Sequence, residues 1–496
     1  MPNSVSSLPM ALYRREQIRQ AEFAVCQGDS DALYQLVEQA ADAALALLRL
    51  ESRLGLQTVL LAGSGNNGAD ALALARLMLE RGLPLRVLAS ADGKTVEHRR
   101  AQKSFEAAGG VVEPYSKEAL DGAEVIIDGL LGSGTNGELR AAMAGIIQDI
   151  NASGAWVLSL DLPSGVDADT GNVNPIAVCA DMTLSFGGLK QGLFTSRARH
   201  FAGEVRLASL GLEAALSQET PSAQRVDGRF LKDLLGRRPR DSHKGQSGKV
   251  TVMGGNHGMA GAVRLAGEAC LRAGAGLVTV ISQPEHQLTV NANRPELMFW
   301  GCELVDMEVY LRLGWADVLV LGPGLGRDDW GYNLFKAVGM SDKPCVLDAD
   351  ALNFLAKEPR RQQNWVLTPH PGEAARLLDM SVAEVEQDRF AAVQKLQQTY
   401  GGVVLLKGAG TLICDGEQVV VAPVGNPGLA SGGCGDVLSG IIAALMAQGL
   451  APMTATIAGV VVHGEAADLA AAAGERGMLA SDLMPFIRQL VNSDLI

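Results

Sequence analysis

A chain of 496 residues is too long for one ordinary domain, and 47% hydrophobic with 20% charged residues fits two or three well-packed globular domains. A formal charge of −13, from 55 acidic against 42 basic residues, repels phosphate backbones and disfavours nucleic acid as a partner. The seven cysteines (26, 179, 270, 302, 345, 414 and 434) are scattered and odd in number, with no C-x-x-C, which argues against a disulfide framework or a structural zinc site. The opening MPNSVSSLPMALYRREQ lacks a hydrophobic signal core. The weakly polar stretch 439–464 carries Gln448, Pro452 and two threonines and reads as buried helices. A cytoplasmic protein without a membrane partner is expected.

In chain order, LQTVLLA (56–62) reads as a strand, ALALARLMLERG as a helix and LRVLAS (85–90) as a strand. AEVIID (123–128) and AWVLSLD (155–161) are further strands, each ending in an aspartate. This rhythm argues for a mostly parallel sheet covered by helices on both faces. Near 182–211 the pattern shifts to MTLSFGG and GEVRLASLGL, strand-like pieces that would close the domain. Residues 213–225 (EAALSQETPSAQR) read as a linker between domains at 1–215 and 223–496. A second α/β rhythm follows: GKVTVMGG, a helix to 273, GLVTVIS, ADVLVLGPG, KPCVLDAD, NWVLTPH and GGVVLLKG. The halves share no period, so the chain reads as a fusion and not a repeat.

In the first half, Gly63, Gly65 and Gly68 spell G-x-G-x-x-G between a strand and a helix, a turn whose backbone amides suit a pyrophosphate, and Asp92 follows the next strand. That alone permits a redox dinucleotide site. Asn66, Asn67 and Asp70 crowd the same turn, Asp128 ends a strand and Asp161 opens DLPSG. In a doubly wound sheet these positions converge at the carboxyl edge of the strands. Amide, hydroxyl and carboxylate oxygens without His or Cys suit a hard cation.

GSGNNGAD, DGLLGSG and LDLPSGVDADTG together resemble the YjeF N-terminal domain, the epimerase of hydrated nicotinamide nucleotides, over about residues 10–215. The resemblance implies a Rossmann-like doubly wound fold and a potassium site at Asn67, Asp128 and Ser164. It also implies contacts to hydrated NADH or NADPH from Asn66, Asn67, Gly68, Ala69 and Asp70, from Gly132, Ser133, Gly134, Thr135, Asn136, Gly137 and Glu138, and from Asp161. Asp161 is expected to be the general acid/base. The family usually reads N-N-G-G-D where this chain has Ala69, and it often has an arginine in the second loop. Alanine there can block close backbone approach, which would weaken the epimerase.

The second half has no G-x-x-x-x-G-K-[ST]. Its strongest phosphate-handling signal is NPGLASGGCGDVLSG (426–440), where Gly432, Gly433 and Gly435 leave amides free at a helix start. Asp436 sits in the first turn, placed to take a proton from a hydroxyl. Cys434 beside it reads as a small packed side chain. This G-x-G-D arrangement resembles the ribokinase-like fold, in which the aspartate acts as base. SHKGQSGKV, GGNHGMAGA, GPGLG, LDADALN, TPHPGE and KGAGT extend the resemblance to the YjeF C-terminal domain, the dehydratase of the same hydrates, over about 240–440.

The resemblance implies an α/β protein in which a Rossmann-like domain precedes a ribokinase-like one. Lys407, Gly408, Ala409, Gly410, Thr411 and Gly435 would contact the adenine nucleotide. Ala260, Gly324, His370 and Asp436 would contact the hydrate. Phosphoryl transfer from ADP onto the hydroxyl, with Mg2+ on the nucleotide phosphates, would turn it into a leaving group. Partners are then hydrated NADH and NADPH with ADP, and a homo-oligomer is expected. Two other readings compete: a ribokinase-type small-molecule kinase with an inactive N-terminal half, and a non-enzymatic scaffold.

Overall fold

A computed structural model describes residues 8–134, 139–173, 175–232, 234 and 236–492, which form two compact units, Met1–Gln224 and Arg225–Ile496. In the N-terminal unit, strands β1 (Thr58–Ala62), β2 (Leu85–Ala89), β3 (Val112–Pro114), β4 (Val125–Gly129), β5 (Trp156–Leu160), β6 (Met182–Phe186) and β7 (Glu204–Ala208) form a parallel sheet ordered β3-β2-β1-β4-β5-β6-β7. Alternate strand residues serve opposite faces. Leu60, Ala62, Ile127, Leu158 and Leu160 join one core with helices α2 (Ser30–Leu50), α3 (Asn66–Leu79) and α4 (Val96–Ala107). Val59, Leu61, Ile126 and Val157 join the other with helix α5 (Ala141–Ala152). Because both faces are covered, the strands read as continuous apolar runs.

Several expectations shift in detail. The helix read from Ala71 begins at Asn66, so the second half of GSGNNGAD lies in its first turn. The pieces at 182–211 become β6 and β7, which extend the sheet in parallel. The stretch 213–225 carries a helical turn, Glu213–Leu216, and a short strand, Ala223–Arg225. Two N-terminal helices precede the sheet, α1 (Arg15–Cys26) and α2. The second is capped by Asp29 and buries Tyr34, Val37, Ala41, Ala44 and Leu48, the three- and four-residue spacing of an amphipathic helix.

In the C-terminal unit, β8 (Lys249–Met253), β9 (Leu277–Ser282), β10 (Met298–Gly301), β11 (Val318–Leu321), β12 (Cys345–Leu347), β13 (Trp365–Leu367) and β14 (Val403–Leu406) are parallel, in the order β14-β13-β12-β11-β8-β9-β10. Beyond β14 come β15 (Thr411–Cys414) and β16 (Val419–Ala422), both antiparallel. Val250, Val252, Val318, Val320, Val346 and Val366 face one core; their neighbours Leu319, Leu321, Leu347 and Leu367 are buried on the opposite face. Helices α6 (Ala260–Arg272), α7 (Cys434–Ala447) and α8 (Pro452–Ala470) pack on the valine side. As read from the sequence, 439–464 lies in helices that are largely buried. Among the described residues Pro452–Ala473 has the length and apolarity of a membrane span, and 67% of its apolar window is buried inside the protein.

The parallel strands of the two units follow the same order, although their sequences share no period. Each sheet therefore has a point where the strand order reverses, between β1 and β4 and between β8 and β11. In open α/β sheets ligands bind at such a point, outside the carboxyl ends of the strands.

Candidate active sites

In the N-terminal unit the first loop is shaped by close packing. A Cβ on Gly63 would lie 1.7 Å from the Leu130 carbonyl oxygen, and one on Gly68 would lie 2.0 Å from that of Gly63. Only glycine fits either position. Gly65 has open space and serves as an N-cap without a side-chain acceptor, so the first amides of α3 have no side-chain cap. Ala69 is fully buried and packs in the core beneath α3, so its methyl does not obstruct the loop. The expected obstruction is corrected on that ground.

Asp128, at the end of β4, is fully buried. Its Oδ1 accepts from Ser164 Oγ (2.6 Å) and the Leu130 amide (3.2 Å), and its Oδ2 from the Ser164 amide (2.8 Å) and Ser159 Oγ (2.9 Å). Burial raises its carboxyl above the usual range against those hydrogen bonds. Ser164 Oγ in turn accepts from the Leu131 amide at 2.8 Å. Asn67 donates from Nδ2 to the Leu131 carbonyl at 3.0 Å, while its Oδ1 is buried without a partner. An orphaned oxygen beside a buried carboxylate fits a cation of the potassium type. Asn67 Oδ1 is the unpartnered oxygen here, and Asp128 orients Ser164 through two hydrogen bonds.

Asp161 follows β5 with φ 65°, a conformation that aspartate tolerates but seldom adopts. Its Oδ1 is ion-paired with Lys190, and its Oδ2 accepts from the Ser133 amide at 3.0 Å. Burial pushes its carboxyl up, but the Lys190 ammonium and the Ser133 bonds outweigh this and leave it below the usual range. Asp70, in the first turns of α3, is held well above that range by burial first, then by Asp161 and Glu22. The sequence reading missed Lys190 and Glu22. Of the second loop, Gly132, Ser133 and Gly134 lie at this site, with Gly132 packed between Asn67 and Asp161. Thr135, Asn136, Gly137 and Glu138 fall outside the described residues. Asp92 is exposed.

In the C-terminal unit the loops after β8 and β11 zip together at the switch point. The Gly255 amide donates to the Pro323 carbonyl at 2.8 Å, and that of Asn256 to the Gly324 carbonyl at 2.7 Å. Ala260 opens α6 beside them. Helix α7 begins at Cys434, after Gly433 in the left-handed region (φ 92°) and with no side-chain cap; the Cys434 amide donates to the Ser431 carbonyl at 3.5 Å, and the amides that follow it are placed to hold an anion. Neutral His463 braces this turn, its Nε2 2.9 Å from the Cys434 carbonyl oxygen. Cys434 is buried, and burial raises its thiol, so it is a packed side chain rather than a reactive one.

Around the start of α7 stand three carboxyl groups and one ammonium. Asp348, buried at the end of β12, takes Lys407 Nζ at 2.9 Å and Ser439 Oγ at 2.8 Å. Burial raises its carboxyl, and Lys407 with the hydrogen bonds outweighs that, so it stays ionised. The next residue, Ala349, has φ 48°, a strained bend for a residue with a side chain. With the ammonium claimed by Asp348, Asp436 is pushed up to about 7 by burial and by the Asp348 charge, against Lys407. Glu373 also rises to about 7, chiefly by burial. His370 caps the helix Pro371–Leu378: its Nδ1 accepts from the Gly372 amide at 3.0 Å, and its ring is neutral through burial and the nearby Lys407. Buried Arg389 donates to the Leu406 and Lys407 carbonyls at 3.2 and 3.1 Å and packs against Gly408. It thereby props the exposed Gly408–Ala409 turn, which leads to Gly410 and Thr411. Asp348 and Glu373 lay inside LDADALN and TPHPGE, where a strand-end acid and a capping-box glutamate were the available signals; Arg389 had no signal.

Two doubly wound units, each with a glycine turn and an uncapped helix start at its switch point, define an α/β enzyme with two sites suited to phosphate-bearing small molecules. Residues 33–192 match the family of the YjeF-related protein N-terminus, and residues 250–489 match NAD(P)H-hydrate dehydratase. The chain is similar to the bifunctional NAD(P)H-hydrate repair enzyme of Coxiella burnetii (45% identity, over 97% of this chain and 99% of that one). It is also similar to that of Escherichia coli (41% identity, 100% and 96%). A ribokinase-like superfamily protein from Enterococcus faecalis superposes with a TM-score of 0.52 at 29% identity, covering 55% of this chain and 97% of that one. The chain belongs to the bifunctional NAD(P)H-hydrate repair enzyme family, with an epimerase domain followed by a ribokinase-like dehydratase domain.

Proposed function

We propose that residues 1–215 interconvert the R and S forms of hydrated NADH and NADPH, and that residues 223–496 dehydrate the S form at the expense of ADP, giving AMP and phosphate. The observation that carries the second half is Asp436. It stands in the first turn of an uncapped helix, beside an ion-paired lysine, with its carboxyl tuned to about 7. A base so poised takes the proton of the hydrate's hydroxyl as the phosphoryl group is transferred. The free amides of α7 steady the charge on that group, and Lys407 adds its own. The ring nitrogen's lone pair then expels phosphate. Gly408 to Thr411, propped by Arg389, with Gly435, hold the nucleotide; Ala260, Gly324 and His370 hold the hydrate. Mg2+ supplies charge neutralisation on the nucleotide phosphates, which needs no protein cage of its own.

In the first half, Asn67, Ser164 and Asp128 hold potassium, and Asp161 works as a base, because Lys190 keeps it ionised. The acid partner is then a group held protonated, and Asp70 meets that requirement. Incubating the pure chain with racemic hydrate and ADP tests the whole reading. Full return of dihydronicotinamide absorbance with release of phosphate supports it; accumulation of a stable phosphorylated product would favour a kinase.

A further inference from the structure

We propose that Lys190 is the positioning residue of the epimerase site, acting on the substrate only through Asp161. This rests on the epimerase reading above. Lys190 is 1% exposed and follows β6. All three donors of its ammonium are engaged: one on Asp161 Oδ1, one on the Phe186 carbonyl at 2.7 Å and one on Ser185 Oγ at 3.2 Å. A lysine with every donor satisfied and no exposed surface has nothing left to offer a ligand.

What it does offer is orientation. Asp161 is held from both sides, by Lys190 on Oδ1 and by the Ser133 amide on Oδ2, and its own amide donates to the Leu184 carbonyl at 2.8 Å. Its side chain keeps 11% exposure, so one edge of the carboxylate still opens to the crevice. The charges that act on this place are Asp161, Asp70 on α3, Glu22 on α1 and Lys190 itself. Without the ammonium, three acids would share a buried site, and Asp161 would have neither a fixed rotamer nor a reason to stay charged.

The chemistry needs such a group. The hydrated carbon carries a hydroxyl and is bonded to the ring nitrogen. When the nitrogen lone pair breaks the C–O bond, the oxygen leaves as water with a proton from an acid. A water then adds to the opposite face, forming the new C–O bond, and its proton passes to Asp161. One water leaves and one enters; one proton is given and one taken.

The test follows interconversion of a single epimer by chromatography, in the full chain and without nucleotide. Asp161→Asn should lose on the order of a hundredfold in kcat. Lys190→Met should lose a similar factor in kcat with little change in KM, and Lys190→Arg, which keeps the cation, should recover part of it. The double variant Lys190→Met/Asp161→Asn should be no slower than Asp161→Asn alone, because the second loss acts through a group already removed. It also removes both members of a buried pair, so it decides the matter if Lys190→Met alone is too unstable to assay. If the two losses multiply in the double variant, or Lys190→Met matches wild type, the proposal is overturned. Wild-type protein that leaves a single epimer unchanged would instead overturn the epimerase reading itself.

Discussion

Replacing Asp436 by Asn should stabilise the C-terminal unit at alkaline pH while stopping dehydration. The carboxyl is pushed from its usual 3.8 to about 7 by burial and by the Asp348 charge. Between those values the folded chain keeps a proton that the unfolded chain has released. Stability therefore falls as pH rises through the window and is level above it. At about 1.4 kcal/mol per pH unit, ionised Asp436 costs at most about 4 kcal/mol at pH 8 and nothing below pH 4. Asparagine keeps the shape and removes the cost. Four of the five tryptophans (300, 315, 330 and 365) lie in this unit, so urea unfolding followed by their fluorescence reports on it. The stability difference between variant and wild type should be near zero at pH 4, grow to pH 7 and then level off. Dehydration should drop by about a hundredfold or more. A variant less stable at pH 8 than wild type would mark Asp436 as a helix-capping group and refute the catalytic argument, as would an unchanged rate.

Asp348→Asn should lower the stability of the same unit by about 3 kcal/mol, because Lys407 is left largely buried without its counter-charge; an unchanged urea midpoint would contradict the pairing. Arg389→Met should raise the nucleotide KM by roughly tenfold, the worth of a lost charged hydrogen bond, and leave the hydrate KM alone. Equal effects on both would show that the guanidinium supports the unit generally rather than the 407–411 turn. Asp128→Ala should slow epimerisation and abolish any thermal stabilisation by potassium over a bulky organic cation at equal ionic strength. If wild-type protein melts identically in both salts, the three oxygens are ordinary turn groups.

Much of this was written locally in the chain. Continuous apolar runs ending in aspartate or glycine marked most of the parallel strands of both units, since a strand buried on both faces has no polar side to show. Gly63 and Gly68 announced a turn that close backbone contact with Leu130 and Gly63 allows only glycine to make. Asp436 after Gly432–Gly435 announced a helix start. The short strands β3, β10, β15 and β16 and the helices α1 and α2 were passed over, although α2 carries an amphipathic stripe and an Asp29 cap.

What only the tertiary structure decided is which charges meet. Lys190 reaches Asp161 from 29 residues away across neighbouring strand ends, and Lys407 reaches Asp348 from 59 across the end of the strand between them. Those pairings keep Asp161 and Asp348 ionised against burial, while burial first and then the charges of those paired acids drive Asp70, Glu373 and Asp436 towards neutrality. Sequence carries the identity of each acid, but burial and the distance to the nearest ammonium determine its charge, and both are properties of the folded chain alone.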